Sequence, residues 1–175
     1  SKRNLLISFH PETLGTKSSQ GHFKEILSSL ELLKETSLFF TAPNADSQGR
    51  TISKMIEDYV KGNHNSYYFK SLGKERYLSM LKYVDGIVGN SSSGLTEAPN
   101  FKVATINLGN RQKGRSKAAS IIDCEIKREE ISKAIEKIYL ASYKNKLKKV
   151  VNTYGKGGAS KKIFKIFHLS WINNY

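Results

Sequence analysis

At 175 residues the chain fits one domain and is long enough to bury a core of its own. Its 38% hydrophobic and 25% charged content is ordinary for a globular protein, and no apolar run reaches the length of a membrane span. The net charge of +14 is out of line. The excess is spread over amphipathic segments, with modest concentration in Lys144–Lys149 and Lys156–Lys165. It comes with no Arg-rich arm, RNP-type aromatic motif or zinc finger, which argues against nucleic acid as the main partner. The single cysteine, Cys124, has no disulfide partner, and His10, His22, His64 and His168 follow no zinc spacing. No metal or other cofactor is expected, and a reduced, cytoplasmic setting is.

In chain order, Leu5–Phe9 reads as a strand buried on both faces. Phe23, Ile26, Leu27, Leu30 and Leu33 then recur at helical spacing. Leu38–Thr41 is a second strand, closed by Pro43-Asn44. Ile52, Met55, Ile56, Tyr59 and Val60 form a second helical stripe that ends near Gly62. Tyr67–Phe69 is a third strand, Lys74–Tyr83 a helix, and Gly86–Val88 a fourth strand before a short helix. Val103–Ile106 and Ile121–Ile122 are further strands. Ile131, Ala134, Ile135, Ile138 and Tyr139 mark a late helix, and Ser160–Trp171 the last. This alternation predicts an α/β fold: a doubly wound, mostly parallel, Rossmann-like sheet, in a single domain over residues 1–175. Only Ser1-Lys2-Arg3 precedes a core strand, which suggests a domain cut from a longer chain.

In such sheets, ligands bind beyond the carboxyl ends of the strands. His10-Pro11-Glu12-Thr13 follows the first strand and Ala42-Pro43-Asn44-Ala45-Asp46 the second. Gly89-Asn90-Ser91-Ser92-Ser93-Gly94 follows the fourth, with Glu97 one turn on, and a loop carrying Arg111, Lys113 and Arg115 follows the fifth. The serines suit a turn with a helix cap. They equally suit a phosphate cradle, because hydroxyls and the free N–H groups of a helix start attract phosphate oxygens. A carboxylate at Glu97 disfavours phosphate but accepts hydrogen bonds from paired sugar hydroxyls. Phosphate at the loop and ribose one turn along is what a nucleotide requires.

The segments "FHPET", "APNADSQGRTI", "VGNSSSGLTEAPNF", "INLGNRQKGR" and "YGKGGASKKI" occur in the order seen in hydrolysing UDP-N-acetylglucosamine 2-epimerases. The chain resembles the C-terminal half of these two-domain GT-B enzymes, closest to the branch serving sialic-acid-type sugars. The resemblance implies that Ser91 and Ser92 hold the UDP diphosphate, assisted by the backbone at Ser93 and Gly94. It implies that Glu97 takes the ribose hydroxyls and Arg111 flanks the uracil or phosphates. Tyr77 falls where the family has an aromatic that stacks on the base, although it also lies on an apolar helical stripe. His10 matches a histidine near the diphosphate and sugar, and Asn44 and Asp46 a loop lining the cleft, Asp46 being equally a helix cap. The implied reaction eliminates UDP to a 2-acetamidoglucal and adds water, giving N-acetylmannosamine or a relative. Its proton-transfer carboxylates belong to an N-terminal half. The isolated domain is therefore expected to bind UDP without turnover, and the complete enzyme to be a homo-oligomer. Phe167 and Trp171 on the last helix would then pack against that other half. Where the family often has Tyr-Gly-Asp-Gly, this chain has Tyr154-Gly155-Lys156-Gly157. The donor-binding half of a GT-B glycosyltransferase is the alternative within the same fold, and a basic nucleic-acid module the alternative outside it.

Overall fold

The computed structural model describes residues 2–11, 18–155 and 157–172. The strands are β1 (Arg3–Ser8), β2 (Thr36–Thr41), β3 (Ser66–Phe69), β4 (Gly86–Gly89), β5 (Ala104–Leu108) and β6 (Ile121–Cys124). They form one sheet in the order β3-β2-β1-β4-β5-β6, every neighbouring pair parallel. The helices are α1 (Ser19–Leu30), α2 (Ser47–Lys61), α3 (Gly73–Met80), α4 (Ser93–Thr96), α5 (Arg128–Tyr139), α6 (Ala141–Lys148) and α7 (Ala159–Ile172). A 3-10 turn spans Ala98–Phe101. The doubly wound, Rossmann-like fold is the expected one, and the winding reverses between β1 and β4.

Side chains alternate across the sheet and so divide between two cores. On one face Leu5, Ile7, Phe40, Val88 and Ile106 meet Phe23 and Ile26 of α1, Ile52 and Ile56 of α2, and Ile131 and Ile135 of α5. On the other, Leu6 and Ile87 meet Leu81, Val84, Ala98 and Val103, with Tyr77 and Leu78 of α3 packed on them. Phe23, Ile26 and Ile52 are fully buried, and such side chains each stabilise by about 1.5–3 kcal/mol.

The structure differs from the sequence expectation at strand ends and by one added helix. β1 and β2 begin earlier, at Arg3 and Thr36, because ladder hydrogen bonds extend beyond the apolar run. α6 was not expected: only Tyr143 and Leu147 of ASYKNKLK are buried, too few to register as a stripe. Glu12, Thr13, Lys156 and the Trp171 side chain lie outside the described residues.

Candidate functional site

The ends of β1 and β4 lie side by side where the winding reverses. Gly89 makes this possible: a Cβ there would stand 1.9 Å from the Ser8 carbonyl oxygen, so only glycine lets the two main chains approach. Asn90 follows, fully buried, and its N–H donates to Ser8 O at 3.1 Å. Its side chain then grips the next strand end. Oδ1 accepts from the His10 N–H at 2.7 Å, and Nδ2 donates to His10 O at 2.8 Å. The Asn90 carbonyl accepts from Gln112 Nε2 at 2.7 Å and from Arg111 Nη1 at 3.0 Å. His10, Asn90, Arg111 and Gln112, from three separate strand ends, thus form one hydrogen-bonded group.

Ser91, Ser92 and Ser93 come next, all half-buried. Their N–H groups precede the first hydrogen bond of the turn, from Gly94 N–H to Ser91 O at 3.3 Å. Ser91 Oγ and Ser93 Oγ are 3.2 Å apart, and the Tyr77 hydroxyl is hydrogen-bonded to Ser93 Oγ. Gly94 fixes the loop against β5: its carbonyl accepts from Thr105 Oγ1 at 2.9 Å, and a Cβ would meet Thr105 Cγ2 at 2.5 Å. α4 is a single turn, so the pull on an anion would come from individual N–H groups and hydroxyls more than from a long helix dipole. Glu97 closes it, its N–H donating to Ser93 O at 3.0 Å. Burial raises the Tyr77 phenol's pKa, the Ser93 hydrogen bond lowers it, and the Glu97 carboxylate adds to the rise. Tyr77 therefore packs against the second core while its hydroxyl meets the serine loop.

Burial is the first cause holding the His10 pKa below its ordinary value, and the Arg111 guanidinium the second; Asp46 opposes both. Its Nδ1 is buried and has no partner among the described residues. Near neutral pH the site thus presents an uncharged imidazole beside an exposed guanidinium. Asp46 caps α2, Oδ1 accepting from the Gly49 N–H at 2.6 Å, and its charge still reaches His10. Asn44 is exposed and lines a different cavity of about 400 Å³, between α2 and the end of β3, with Arg50, Lys54 and Lys70. The structure thus gathers His10 with Arg111 and Asp46, and the serines with Tyr77 and Glu97, but not Asn44. Sequence reasoning passed over Asn90 and Gln112, which tie the first group together. Their only signal was a pair of amides just past strand ends. No group of three or more metal-ligating side chains occurs among the described residues, and none of their helices is long and apolar enough to cross a membrane.

The family model for UDP-N-acetylglucosamine 2-epimerase matches residues 1–168. The chain is 42% identical over 144 residues to the GDP/UDP-N,N'-diacetylbacillosamine 2-epimerase (hydrolyzing) of Campylobacter jejuni, covering 82% of this chain and 37% of that protein. It is 43% identical over 135 residues to polysialic acid biosynthesis protein P7 of Escherichia coli, covering 77% and 34%. It therefore spans little more than a third of the length of these relatives. The S. aureus MnaA-UDP co-structure superposes with a TM-score of 0.75 at 16% identity, over 99% of this chain and 46% of that one. The C-terminal domain of a group 1 glycosyl transferase from Francisella tularensis gives 0.56 at 14% identity, over 87% and 83%. At such identities the likeness is one of fold.

Proposed function

The chain belongs to the UDP-N-acetylglucosamine 2-epimerase family, and we propose that it is the UDP-binding, C-terminal half of a hydrolysing 2-epimerase. One observation carries this reading: the serine loop, His10 and Arg111 share one rim where the sheet's winding reverses. Ser91 and Ser92, with the backbone at Ser93 and Gly94, would take the diphosphate, and Arg111 would supply the positive charge beside it. Glu97 would accept the ribose hydroxyls. Tyr77, whose hydroxyl is committed to Ser93, would offer the base a ring edge next to the loop. Asp46, whose charge reaches His10, would line the outer part of the cleft, and Asn44 would stand apart from it.

The chemistry follows from charge. As the C1–O bond breaks, negative charge grows on the departing UDP. The N–H groups, hydroxyls and guanidinium gathered at this rim oppose that charge most strongly in the transition state. Neutral His10 can hydrogen-bond the leaving diphosphate, whose charge draws a proton onto the ring. The C2 proton must leave to a base and water must add at C1. Those groups would come from the part of the relatives' length that this chain does not span. The substrate class is a UDP sugar with a 2-acetamido group, and the Campylobacter relative's name supports a diacetamido sugar as one candidate. The Francisella fold likeness favours one other reading, the donor half of a glycosyltransferase.

The test is calorimetric titration of the chain with UDP, ADP and a short oligonucleotide, alongside Glu97→Ala and Arg111→Ala. Preferred UDP binding, weakened about tenfold in each variant, is the expected result. Equal binding of UDP and ADP, or salt-sensitive oligonucleotide binding that the variants leave intact, defeats the reading. Release of UDP and a free 2-acetamido sugar with its C2 configuration inverted, by the complete protein with no acceptor sugar present, separates epimerase from transferase.

A further inference from the structure

The parallel ladder between β1 and β4 ends with the Asn90 N–H on Ser8 O. The Asn90 side chain then continues it, taking both main-chain groups of His10, a residue 80 positions away in sequence. A carboxamide is suited to this because it carries an acceptor and a donor side by side, whereas aspartate offers acceptors only and a leucine offers neither. The same residue's carbonyl holds Arg111 and the buried Gln112. Every member of the cluster is thus referred to one fully buried residue.

We propose that Asn90 is the positioning residue of this site, fixing His10 and Arg111 as one rigid unit on the rim of the serine loop. It touches neither reacting atoms nor ligand in this role; it acts through His10 and Arg111. The proposal rests on the UDP-binding reading for what the unit faces, but its geometry stands independently. Without Asn90, the His10 imidazole is free to leave its buried place and to move away from the guanidinium. Among the described residues the charged groups that face His10 are Arg111 and Asp46, and removing the carboxamide alters neither charge.

Two measurements on the isotopically labelled chain test this. The first needs no substitution: the His10 amide lies past the end of β1, and the clamp predicts that it exchanges with solvent as slowly as the ladder amides of Leu6 and Ile7. Exchange at the rate of an open loop overturns the proposal. The second follows the His10 ring by NMR titration in Asn90→Ala. The expected result is a midpoint that moves up toward the ordinary value of 6.5, with UDP affinity reduced about tenfold. A folded variant whose His10 titrates where it does in the unaltered chain overturns the proposal, even if its unfolding midpoint has dropped. If Asn90→Ala does not fold, the exchange measurement decides alone. Absence of UDP binding by the unaltered chain would sink the functional reading, while both His10 measurements would still judge Asn90.

Discussion

His10 links the protein's stability to pH. Its folded pKa lies below 6.5, chiefly through burial and then through Arg111, so the unfolded chain takes up this proton at a higher pH than the folded one. The neutral ring's contribution is complete above about 6.5 and is lost as pH falls from there through the folded value. Urea midpoints should therefore decline on acidification below that point, and His10→Gln should flatten this part of the profile. Parallel profiles for the two proteins would exclude His10 as the source. A bound diphosphate acts in the opposite sense, stabilising the imidazolium, so UDP should bind more tightly as pH falls through the same window. Gly89 is a residue the site cannot exchange without moving its main chain. With 1.9 Å between a Cβ and the Ser8 carbonyl, Gly89→Ala should cost about 3 kcal/mol or more by denaturant unfolding. Legibility also divides at the residue scale. Ser91–Ser93 and Arg111 could be read because they follow apolar runs, and strand ends are where ligands go. Asn90 and Gln112 could not, since buried amides bonded to residues 80 and 22 positions away imprint no period on their neighbours.

Among the elements, α2 gives the clearest test of local design. Asp46 caps it through the Gly49 N–H, and losing such a cap costs about 1 kcal/mol. Asp46→Ala should lower the unfolding free energy by about that amount, and Asp46→Ser should restore most of it. If serine restores stability but UDP affinity stays reduced, the carboxylate also serves the ligand. The six strands and the long amphipathic helices were legible, because Leu5–Ile7 is an unbroken apolar run and Ile52–Val60 carries a helical period in plain sight. α6 was not, because Tyr143 and Leu147 alone are buried and lysines fill much of the remainder. Its helix is held by tertiary packing, and the Tyr143 hydroxyl donates to Ser120 O at 2.8 Å.

For the whole molecule, α7 stands out: Phe164 and Phe167 are each 71% exposed and Ile166 67%, on one apolar stretch flanked by lysines. Large exposed apolar patches mark contact surfaces. The chain alone should associate weakly through α7, and more strongly as salt screens its +14 charge. Sedimentation velocity across concentration and salt checks this; Phe164→Ser with Phe167→Ser should leave a monomer, and unchanged association would assign the contact elsewhere. The strand order has a consequence in time. β1 is made first, but its partner β4 emerges roughly 4–16 s later at ordinary rates of synthesis, since Leu5 pairs with Gly86. Until then His10 has no Asn90 to hold it. Competence to bind therefore cannot precede the pairing that joins the two halves of the sheet, and a refolding chain should regain UDP binding and its buried core with a single shared rate constant.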